Sequence, residues 1–246
     1  MTNVLFESNW LLKSVGMPVR HQFAQQFQPV EMQRGNALYN TGDDVEWVYF
    51  PQRGLVALMS ETTEGESVES GLVGPDGAIG IFEACGSRKF LSTAVVRVPG
   101  IAVRVSATSY RDLFASCPEL RTAVHRHVEI LTAEGRQFVV CNALHSVESR
   151  LARAILDAMD KCRLTTVLPM TQDALAQALG AQRTTVASQI SSLQRRGIIR
   201  SSRGAIEVPN REMLEKLACS CRESLEYARQ AIFAIDKPAC DELLTA

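Results

Sequence analysis

The spacing of hydrophobic positions first follows a strand pattern. Between residues 35 and 106, short runs rich in Val and Tyr alternate with glycine-containing turns at intervals of about ten residues. The runs are residues 37–39, 47–50, 55–59, 67–73, 79–82, 93–98 and 101–105. Such spacing is typical of an antiparallel barrel or roll, whose interior either holds one small molecule or serves as a plain scaffold.

After residue 106 the pattern becomes helical. Residues 107–117 have the spacing of a short helix, and Pro118 begins a long one. Along the long helix a seam repeats in alternating steps of four and three, which is typical of a helix that pairs with a copy of itself. The predicted dimer interface consists of Val124, Val128, Leu131, Gly135, Phe138 and Asn142. Packing on its own domain is the alternative, and it requires a broader apolar stripe.

A hinge and two short helices follow. Ser146 is predicted to cap the next helix, which makes residues 144–146 a hinge. Further on, Thr171 caps a helix that ends at Gly180, and residues 182–194 form a second helix with one apolar side. A small residue, a turn glycine and a β-branched residue at this spacing indicate a helix-turn-helix.

Residues 197–209 extend the module with two predicted strands around a Ser-Ser-Arg-Gly turn, the arrangement of a wing. The first residues of a recognition helix meet base edges in the major groove. There Arg183 can donate two hydrogen bonds to guanine, Gln182 can read adenine, and Thr184 can meet a thymine methyl group or a phosphate. The other predicted DNA contacts are Thr171, Gln172, Thr185, Ser188, Gln189, Arg200, Ser202 and Arg203, with Arg195 and Arg196 as further backbone anchors.

Charge is concentrated in this segment. The chain of 246 residues has a formal net charge of -1, yet residues 172–206 carry five arginines against the single acid Asp173. A locally cationic segment is typical of phosphate contact. No apolar run reaches the roughly 20 residues of a membrane span, and the N-terminus lacks the basic cluster of a secretory signal. We therefore expect a cytoplasmic protein without a membrane partner.

Cysteine spacing predicts no metal and no cofactor. The seven cysteines are Cys85, Cys117, Cys141, Cys162, Cys219, Cys221 and Cys240. They are odd in number and show no C-x-x-C pair, so buried structural thiols are favoured over a disulfide framework. Cys141 and His145 share a helix face as metal ligands do, but packing at the dimer seam is the favoured explanation. Cys219 and Cys221 are expected on a helix with their side chains pointing apart, and His127 is expected on a solvated or interfacial helix surface.

The order of these parts resembles the Crp/Fnr family of bacterial transcription regulators, from about residue 35 to residue 217. The matching motifs are Gly35-Asn-Ala-Leu-Tyr-Asn-Thr-Gly-Asp-Asp, Tyr110-Arg-Asp-Leu-Phe, Ser149-Arg-Leu-Ala-Arg-Ala-Ile-Leu and Leu168-Pro-Met-Thr-Gln-Asp. The resemblance implies an α+β fold: an effector-type antiparallel β-roll like a jelly roll, cupin or cyclic-nucleotide domain, a dimerisation helix, a winged helix-turn-helix and a C-terminal helical extension. The expected bounds are residues 1–117, 118–145, 146–217 and 218–246.

The resemblance also implies a homodimer that binds double-stranded DNA at a two-fold symmetric operator, with half-sites about 34 Å apart. RNA polymerase is a further candidate partner. In the reading helix the family's Arg-Glu pair becomes Arg183-Thr184, and a later arginine becomes Ser188. Losing the glutamate removes an acceptor for cytosine, so we expect a different operator.

The residues that hold cyclic nucleotides in this family are replaced. The family's Gly-Glu turn corresponds to the stretch that begins at Gly77-Ala78, and Ser92-Thr93 occupy the place of its Arg-Ser pair. Gly135-Arg136 replace the hydroxyl pair that meets the nucleobase. A buried phosphate without its arginine loses several kcal/mol. We expect an effector other than cyclic AMP, or none, and the effector pocket is left unassigned. The N-terminal cysteines of oxygen-sensing members are missing too, since the first cysteine is Cys85.

These patterns favour a non-enzymatic, DNA-binding transcription regulator. The sequence shows no Walker loop and no nucleophile–base–acid set. The alternative is a sensor or scaffold whose winged helix docks a protein, and exposed apolar groups in place of arginines would favour it.

Overall fold

Five antiparallel strands form the N-terminal sheet. The computed structural model describes residues 6–234. The strands are β1 Gln28–Met32, β2 Ala37–Tyr39, β3 Trp47–Glu61, β4 Ser67–Val73 and β5 Thr93–Ser106. They are ordered β1-β5-β3-β4, and β2 also pairs with β5. The predicted antiparallel roll and α+β class are confirmed.

Two strands are longer than predicted, because the turn-like sequences inside them bend the strands without breaking them. β3 and β5 each join two predicted runs, and their pairing register shifts between Pro51 and Arg53. Gly54 has a φ of 93°, and a Cβ on Gly100 would lie 2.1 Å from the carbonyl oxygen of Arg53. The two strands therefore bend at the same place, where their backbones are too close for a side chain.

The N-terminal helices are fastened to this bend by one buried amide. They are α1 Trp10–Lys13 and α2 Met17–Phe23, followed by a 3₁₀ turn at Ala24–Gln26. The Asn9 side-chain oxygen accepts hydrogen bonds from the N–H groups of Leu11 and Leu12. Its amide nitrogen donates to the carbonyl oxygens of Pro51 and Gly77 at 2.9 and 2.8 Å. One side chain thus caps α1 and attaches it to the roll.

Two further differences concern a predicted strand that does not form and an observed strand that was not predicted. The run at residues 79–82 contributes only a bridge between Ile79 and Tyr49, and helix α3 begins directly after it at Ile81–Cys85. Strand β1 was not predicted, because it is an edge strand of which only Met32 is fully buried. An edge strand needs no alternating apolar face, so its sequence carries little signal.

The remaining helices form the second half of the chain. They are α4 Ala107–Ser116, α5 Pro118–Leu144, α6 Val147–Cys162, α7 Gln172–Leu179, α8 Arg183–Arg195, α9 Arg211–Glu215 and α10 Cys221–Ala234. A small sheet contains β6 Val167–Leu168, β7 Arg200–Ser202 and β8 Ala205–Glu207 in the order β6-β8-β7. His145 ends α5, and the Ser146 hydroxyl caps α6 at the expected hinge. Residues 235–246 of the expected C-terminal extension, Cys240 included, lie outside the described residues.

The C-terminal half packs against the face of the roll formed by β3 and β4. A continuous hydrophobic core joins Leu55 of β3 and Leu72 of β4 to Leu151 of α6, Leu175 of α7 and Ile190 of α8. The area that this core removes from water stabilises both halves together, because neither face remains covered if they separate.

A buried ion network connects four segments. The Lys161 ammonium lies 2.8 Å from an Asp76 oxygen and 3.1 Å from a Glu134 oxygen, and Arg229 donates to Glu134 at 2.6 Å. These residues belong to the turn before α3, to α5, to α6 and to α10. Burial by itself raises the pKa of Asp76, but the Lys161 charge outweighs it and lowers the pKa to about 2. The Lys161 and Glu134 side chains are only 8% and 5% exposed, so losing either of these two charges typically costs roughly 3–5 kcal/mol. Asp76 and Arg229 are 40% and 31% exposed, and losing them costs less.

Helix α10 runs antiparallel along α5. Arg229 pairs with Glu134 near its middle, and the Phe233 ring meets Trp10 at 4.9 Å between centroids. Cys219 lies in the turn before α10, and Cys221 is the first residue of the helix. Their sulfurs therefore face the same place, and the expectation that they point apart is wrong.

His127 is buried, contrary to its expected place on a solvated or interfacial surface. It is 3% exposed and lies under Gly77, where an added Cβ would be 2.3 Å from the ring carbon Cε1. Its ring stacks on Phe82 at 6.3 Å. Burial disfavours the charged imidazolium and lowers the pKa of His127 to about 4.

Acidification should therefore destabilise the protein through His127. The unfolded chain protonates this side chain near pH 6.5, whereas the folded state holds it neutral down to about pH 4. The unfolded state then binds the extra proton, and the free energy of unfolding falls by about 3 kcal/mol across this window. We expect the advantage of wild type over His127→Gln to shrink by that amount, measured by urea unfolding at pH 7 and pH 4.

The comparison between variants is needed because Glu69 acts in the opposite direction. Burial raises the pKa of Glu69 to about 7, so this group gains stability as the pH falls. Both proteins contain Glu69, and its contribution cancels in the difference. A difference in unfolding free energy that stays constant with pH would contradict the assignment of His127.

Candidate nucleic-acid interface

The helix-turn-helix is built by local caps. The Thr171 hydroxyl accepts a hydrogen bond from the N–H of Ala174 at 3.1 Å and starts α7. Gly180 ends that helix with a φ of 54°, a left-handed conformation that suits glycine. Helix α8 begins at Arg183, and the side chain of the preceding Gln182 makes no capping hydrogen bond. The open N–H groups of this first turn favour an anion.

Helix α8 has one buried side and one polar side. Val186, Ile190 and Leu193 are completely buried against α6 and α7. The residues predicted to read bases lie on or beside the other face: Gln182, Arg183, Thr184 and Ser188 are exposed, and Thr185 and Gln189 are half-buried. The helical period therefore presents the predicted reading residues together to solvent.

The wing is attached to α7 by a side-chain contact. Gln172 donates to the Ser201 hydroxyl at 3.1 Å, so this predicted anchor also holds the wing in place. Ser201 was not predicted, because its partner is 29 residues away in the sequence. At the wing tip Gly204 has a φ of 83°, and Ser202 and Arg203 are exposed beside it.

The arginines of the module are paired only at the surface. Arg183 lies 3.1 Å from Asp173, and Arg200 lies 3.2 Å from Glu207; both arginine side chains are 73% exposed. Arg196 pairs with Glu148 of α6, and Arg195 is exposed. Exposed ion pairs contribute roughly 1 kcal/mol or less, so a phosphate can replace either carboxylate.

Outside the shared hydrophobic core, two further contacts join the roll to this module. A Cβ on Gly180 would lie 3.2 Å from Val68 of β4, and Arg34 donates to the carbonyl oxygen of Gly204 at 3.0 Å. Beside the Gly180–Val68 contact lies a cleft of about 580 Å³, which both Arg183 and the β3–β4 hairpin line. The hairpin contributes the exposed carboxylates of Glu61 and Glu66. Acidic groups thus flank the approach to the N-terminus of α8.

Ala78, Ser92 and Thr93 are the residues expected at the places of the family's cyclic-phosphate contacts. Ala78 is 3% exposed, and the Thr93 hydroxyl accepts a hydrogen bond from the N–H of Thr41 at 3.1 Å. A cavity of about 470 Å³ lies elsewhere, between β4, α5, α6 and α10. Charged side chains line it, among them Glu69 and Arg153, whereas Ala78, Ser92 and Thr93 do not.

The predicted dimer residues fall into two groups. Val128 is 37% exposed, Asn142 is exposed, and Leu131 and Gly135 are half-buried. Val124 is only 4% exposed because it packs in the core of the roll, so its place at the interface is corrected. Phe138 is half-buried against the Arg153 guanidinium, 4.9 Å from the ring centre. The exposed apolar residues that the seam missed are Val139, Val140 and Leu144.

Comparison with known proteins agrees with this geometry. Residues 149–217 match the Crp-like helix-turn-helix domain. The chain is 24% identical over 203 residues to a CRP-like cAMP-activated global transcriptional regulator of Mycobacterium tuberculosis, covering 79% of this chain and 89% of that protein. It is 28% identical over 173 residues to the transcriptional regulator SdrP of Thermus thermophilus, covering 67% and 80%.

Solved structures show the same architecture. TTHA1359, a CRP/FNR-family transcriptional regulator from Thermus thermophilus, superposes with a TM-score of 0.61 at 25% identity, covering 78% of this chain and 98% of that one. FixK2 from Bradyrhizobium japonicum shares the fold with a TM-score of 0.68 at 16% identity, again covering 78% and 98%.

The fold and the site define a β-roll protein with a winged helix-turn-helix DNA-binding domain. That domain is of the Crp type, and the chain is a homologue of Crp/Fnr-family transcription regulators, so the resemblance is confirmed. These homologues are regulators and not enzymes. None of the helices described between residues 6 and 234 has the length and apolar character needed to cross a bilayer.

Neutralising the hairpin should strengthen binding to DNA. In Glu61→Gln/Glu66→Gln, two carboxylates no longer repel the phosphates that approach α8. At about 8 Å in water each repulsion amounts to roughly 0.5 kcal/mol, so we expect affinity for a random duplex to rise about fivefold at low salt. Fluorescence anisotropy measures this.

The gain should fade as added salt shortens the Debye length. The matched control is Glu31→Gln/Glu129→Gln, which removes two exposed carboxylates outside the cleft. An equal gain in the control, or a gain that persists at high salt, would show that the hairpin has no local role.

Proposed function

We propose that this protein is a sequence-specific transcription regulator that binds a two-fold symmetric operator as a homodimer. The observation that carries the proposal is the exposed first turn of α8, where Gln182, Arg183 and Thr184 stand on a helix fixed by a buried opposite face. A rigid helix with a polar, cationic start suits insertion into the major groove.

Arg183 is the main candidate for base recognition. Its only polar contact in the described chain that reaches ion-pair distance is the exposed Asp173, so the guanidinium is free to turn toward a guanine edge. A bidentate arginine–guanine contact discriminates by about 1–3 kcal/mol. Arg200 and Arg203 on the wing supply phosphate contacts, which position the helix without reading sequence.

The surface of the module favours DNA over a protein partner. Between residues 171 and 208, all of which are described, no large apolar side chain is exposed. A protein-docking winged helix needs such side chains at the centre of its interface. The exposed groups here are hydroxyls, amides and guanidiniums.

Exposed apolar residues on α5 support the proposed two-fold arrangement. Val128, Val139 and Leu144 leave apolar surface exposed on a helix of 27 residues whose other side is covered by the roll and by α10. A second copy of α5 would bury this surface.

The signal that controls binding is proposed to be something other than cyclic AMP. The Mycobacterium tuberculosis relative is cAMP-activated. In this chain Ala78 replaces the acidic residue and Ser92 replaces the arginine that hold the cyclic nucleotide. A phosphate buried there would lack the charge of that arginine, a loss of several kcal/mol.

Replacing Arg183 should separate specific from non-specific binding. Duplexes selected from a random library are expected to contain an inverted repeat. With Arg183→Ala we expect affinity for the selected duplex to fall about 5- to 150-fold, the equivalent of 1–3 kcal/mol, while affinity for a scrambled duplex changes little. Arg53→Ala, which removes an exposed arginine of the roll, serves as the matched control. If wild type itself binds both duplexes equally, the function is not sequence-specific recognition.

Cyclic AMP should leave the melting temperature unchanged. A ligand that binds the folded state stabilises it by about 2.7 kcal/mol at a hundred times its Kd, which a thermal scan detects easily. We expect no shift at millimolar cyclic AMP. A saturable rise in Tm would contradict the proposed loss of nucleotide binding and would leave the DNA-binding proposal untouched.

A further inference from the structure

Four potential metal ligands converge at the end of α5. They are Cys141, His145, Cys219 and Cys221, and their ligand atoms all lie within 4.8 Å of one another. Cys141 Sγ is 3.5 Å from Cys219 Sγ, and Cys221 Sγ is 3.3 Å from His145 Nδ1. Spacing in the sequence predicts no metal here, because the two pairs are separated by more than 70 residues.

These separations fit the tetrahedral coordination of a single metal ion. A zinc ion with Zn–S bonds of about 2.3 Å and a Zn–N bond of about 2.05 Å places neighbouring ligand atoms roughly 3.6–3.8 Å apart. The observed 3.3 and 3.5 Å contacts, and the 4.8 Å limit for all pairs, need only small shifts to reach that geometry. An iron–sulfur cluster fits less well, because its cysteines bind different iron atoms and are spread further apart.

The four potential ligands are also largely shielded from water. Cys141, Cys219 and Cys221 are 0%, 8% and 1% exposed, and His145 is half-buried. Cys221 is the first residue of α10, so its side chain lies at the N-terminal end of that helix. Arg153, with its side chain 7% exposed, lies beside Cys141 and Cys219 and also pairs with Asp157 at 2.6 Å, so its positive charge is shared between that carboxylate and the cluster.

We propose that Cys141, His145, Cys219 and Cys221 form a mononuclear Cys₃His site for a zinc ion. Three thiolates and one neutral imidazole are the ligand set of closed, structural zinc sites. The two ligands from α5 stand at the hinge before α6, and the other two begin α10. Bound metal therefore fastens the C-terminal helix to the hinge that carries the DNA-binding domain.

Cobalt titration of the full chain tests the site. The reduced protein is stripped with a chelator, titrated with Co²⁺ and then with Zn²⁺, and its metal content is measured by mass spectrometry. We expect one metal ion per chain, with the thiolate-to-cobalt and d–d absorption of a tetrahedral complex that Zn²⁺ displaces. Zn²⁺ should also raise the Tm of the stripped protein.

Variants that each lack one of the four ligands test the assignment of the individual residues. Because the charge-transfer intensity follows the number of Co–S bonds, Cys219→Ser and Cys221→Ser should each lose about a third of it. His145→Ala should keep the three thiolate bonds but shift the d–d bands and weaken binding. Cys162→Ser, which removes a half-buried thiol outside the cluster, should match wild type.

Three outcomes would overturn the proposal. The first is less than one equivalent of tightly held metal in folded, reduced wild type. The second is a spectrum that survives in Cys219→Ser and Cys221→Ser but not in Cys162→Ser. The third is iron with acid-labile sulfide or a Cys141–Cys219 disulfide in protein purified under reducing conditions. None of these readouts involves DNA, so they are independent of the proposed regulator function.

Discussion

The position of the DNA-binding domain depends on a single buried carboxylate. Glu134 extends from α5 into the junction of the roll, α6 and α10, where Lys161 and Arg229 neutralise it and Lys161 also holds Asp76. A carboxylate without these cations would cost several kcal/mol in this environment. Each segment therefore requires the others, and the electrostatic requirement acts in the same direction as the hydrophobic core that joins the roll to α6, α7 and α8.

A cavity and a cluster of potential metal ligands lie near this junction. The charged cavity of about 470 Å³ includes Glu134 and Lys161 in its lining, and the cluster of Cys141, His145, Cys219 and Cys221 lies about two to three helical turns further along α5. On the other side, the β3–β4 hairpin borders the start of α8. A regulator needs a link between a sensing part and a reading part. Here α5 contacts both α6 and α10 through Glu134, and His145 marks the hinge between α5 and α6.

The reading module was the most predictable part of the chain, because its signals are local. The cap at Thr171, the left-handed Gly180 and the buried period of Val186, Ile190 and Leu193 all act within about two helical turns. The roll was harder. The same glycine and proline residues can either end a strand or bend it, so the sequence does not distinguish the two cases. At Gly54 the close backbone of β5 shows that the strand bends and continues. Val124 shows the same limit of sequence patterns. Its spacing along α5 predicts a contact in the dimer seam, but in the folded protein it packs in the core of the roll.

The sequence by itself determined the kind of structure in each segment: the alternation of strands, the long helix and a helix-turn-helix with an arginine at the start of its second helix. These follow from backbone preferences and apolar periodicity over a few residues. Only the tertiary structure decided which distant groups meet. It buried His127 under Gly77, gave Glu134 its two cations and brought Cys219 to Cys141 across 78 residues. Those contacts arise from chain packing, which no local pattern encodes.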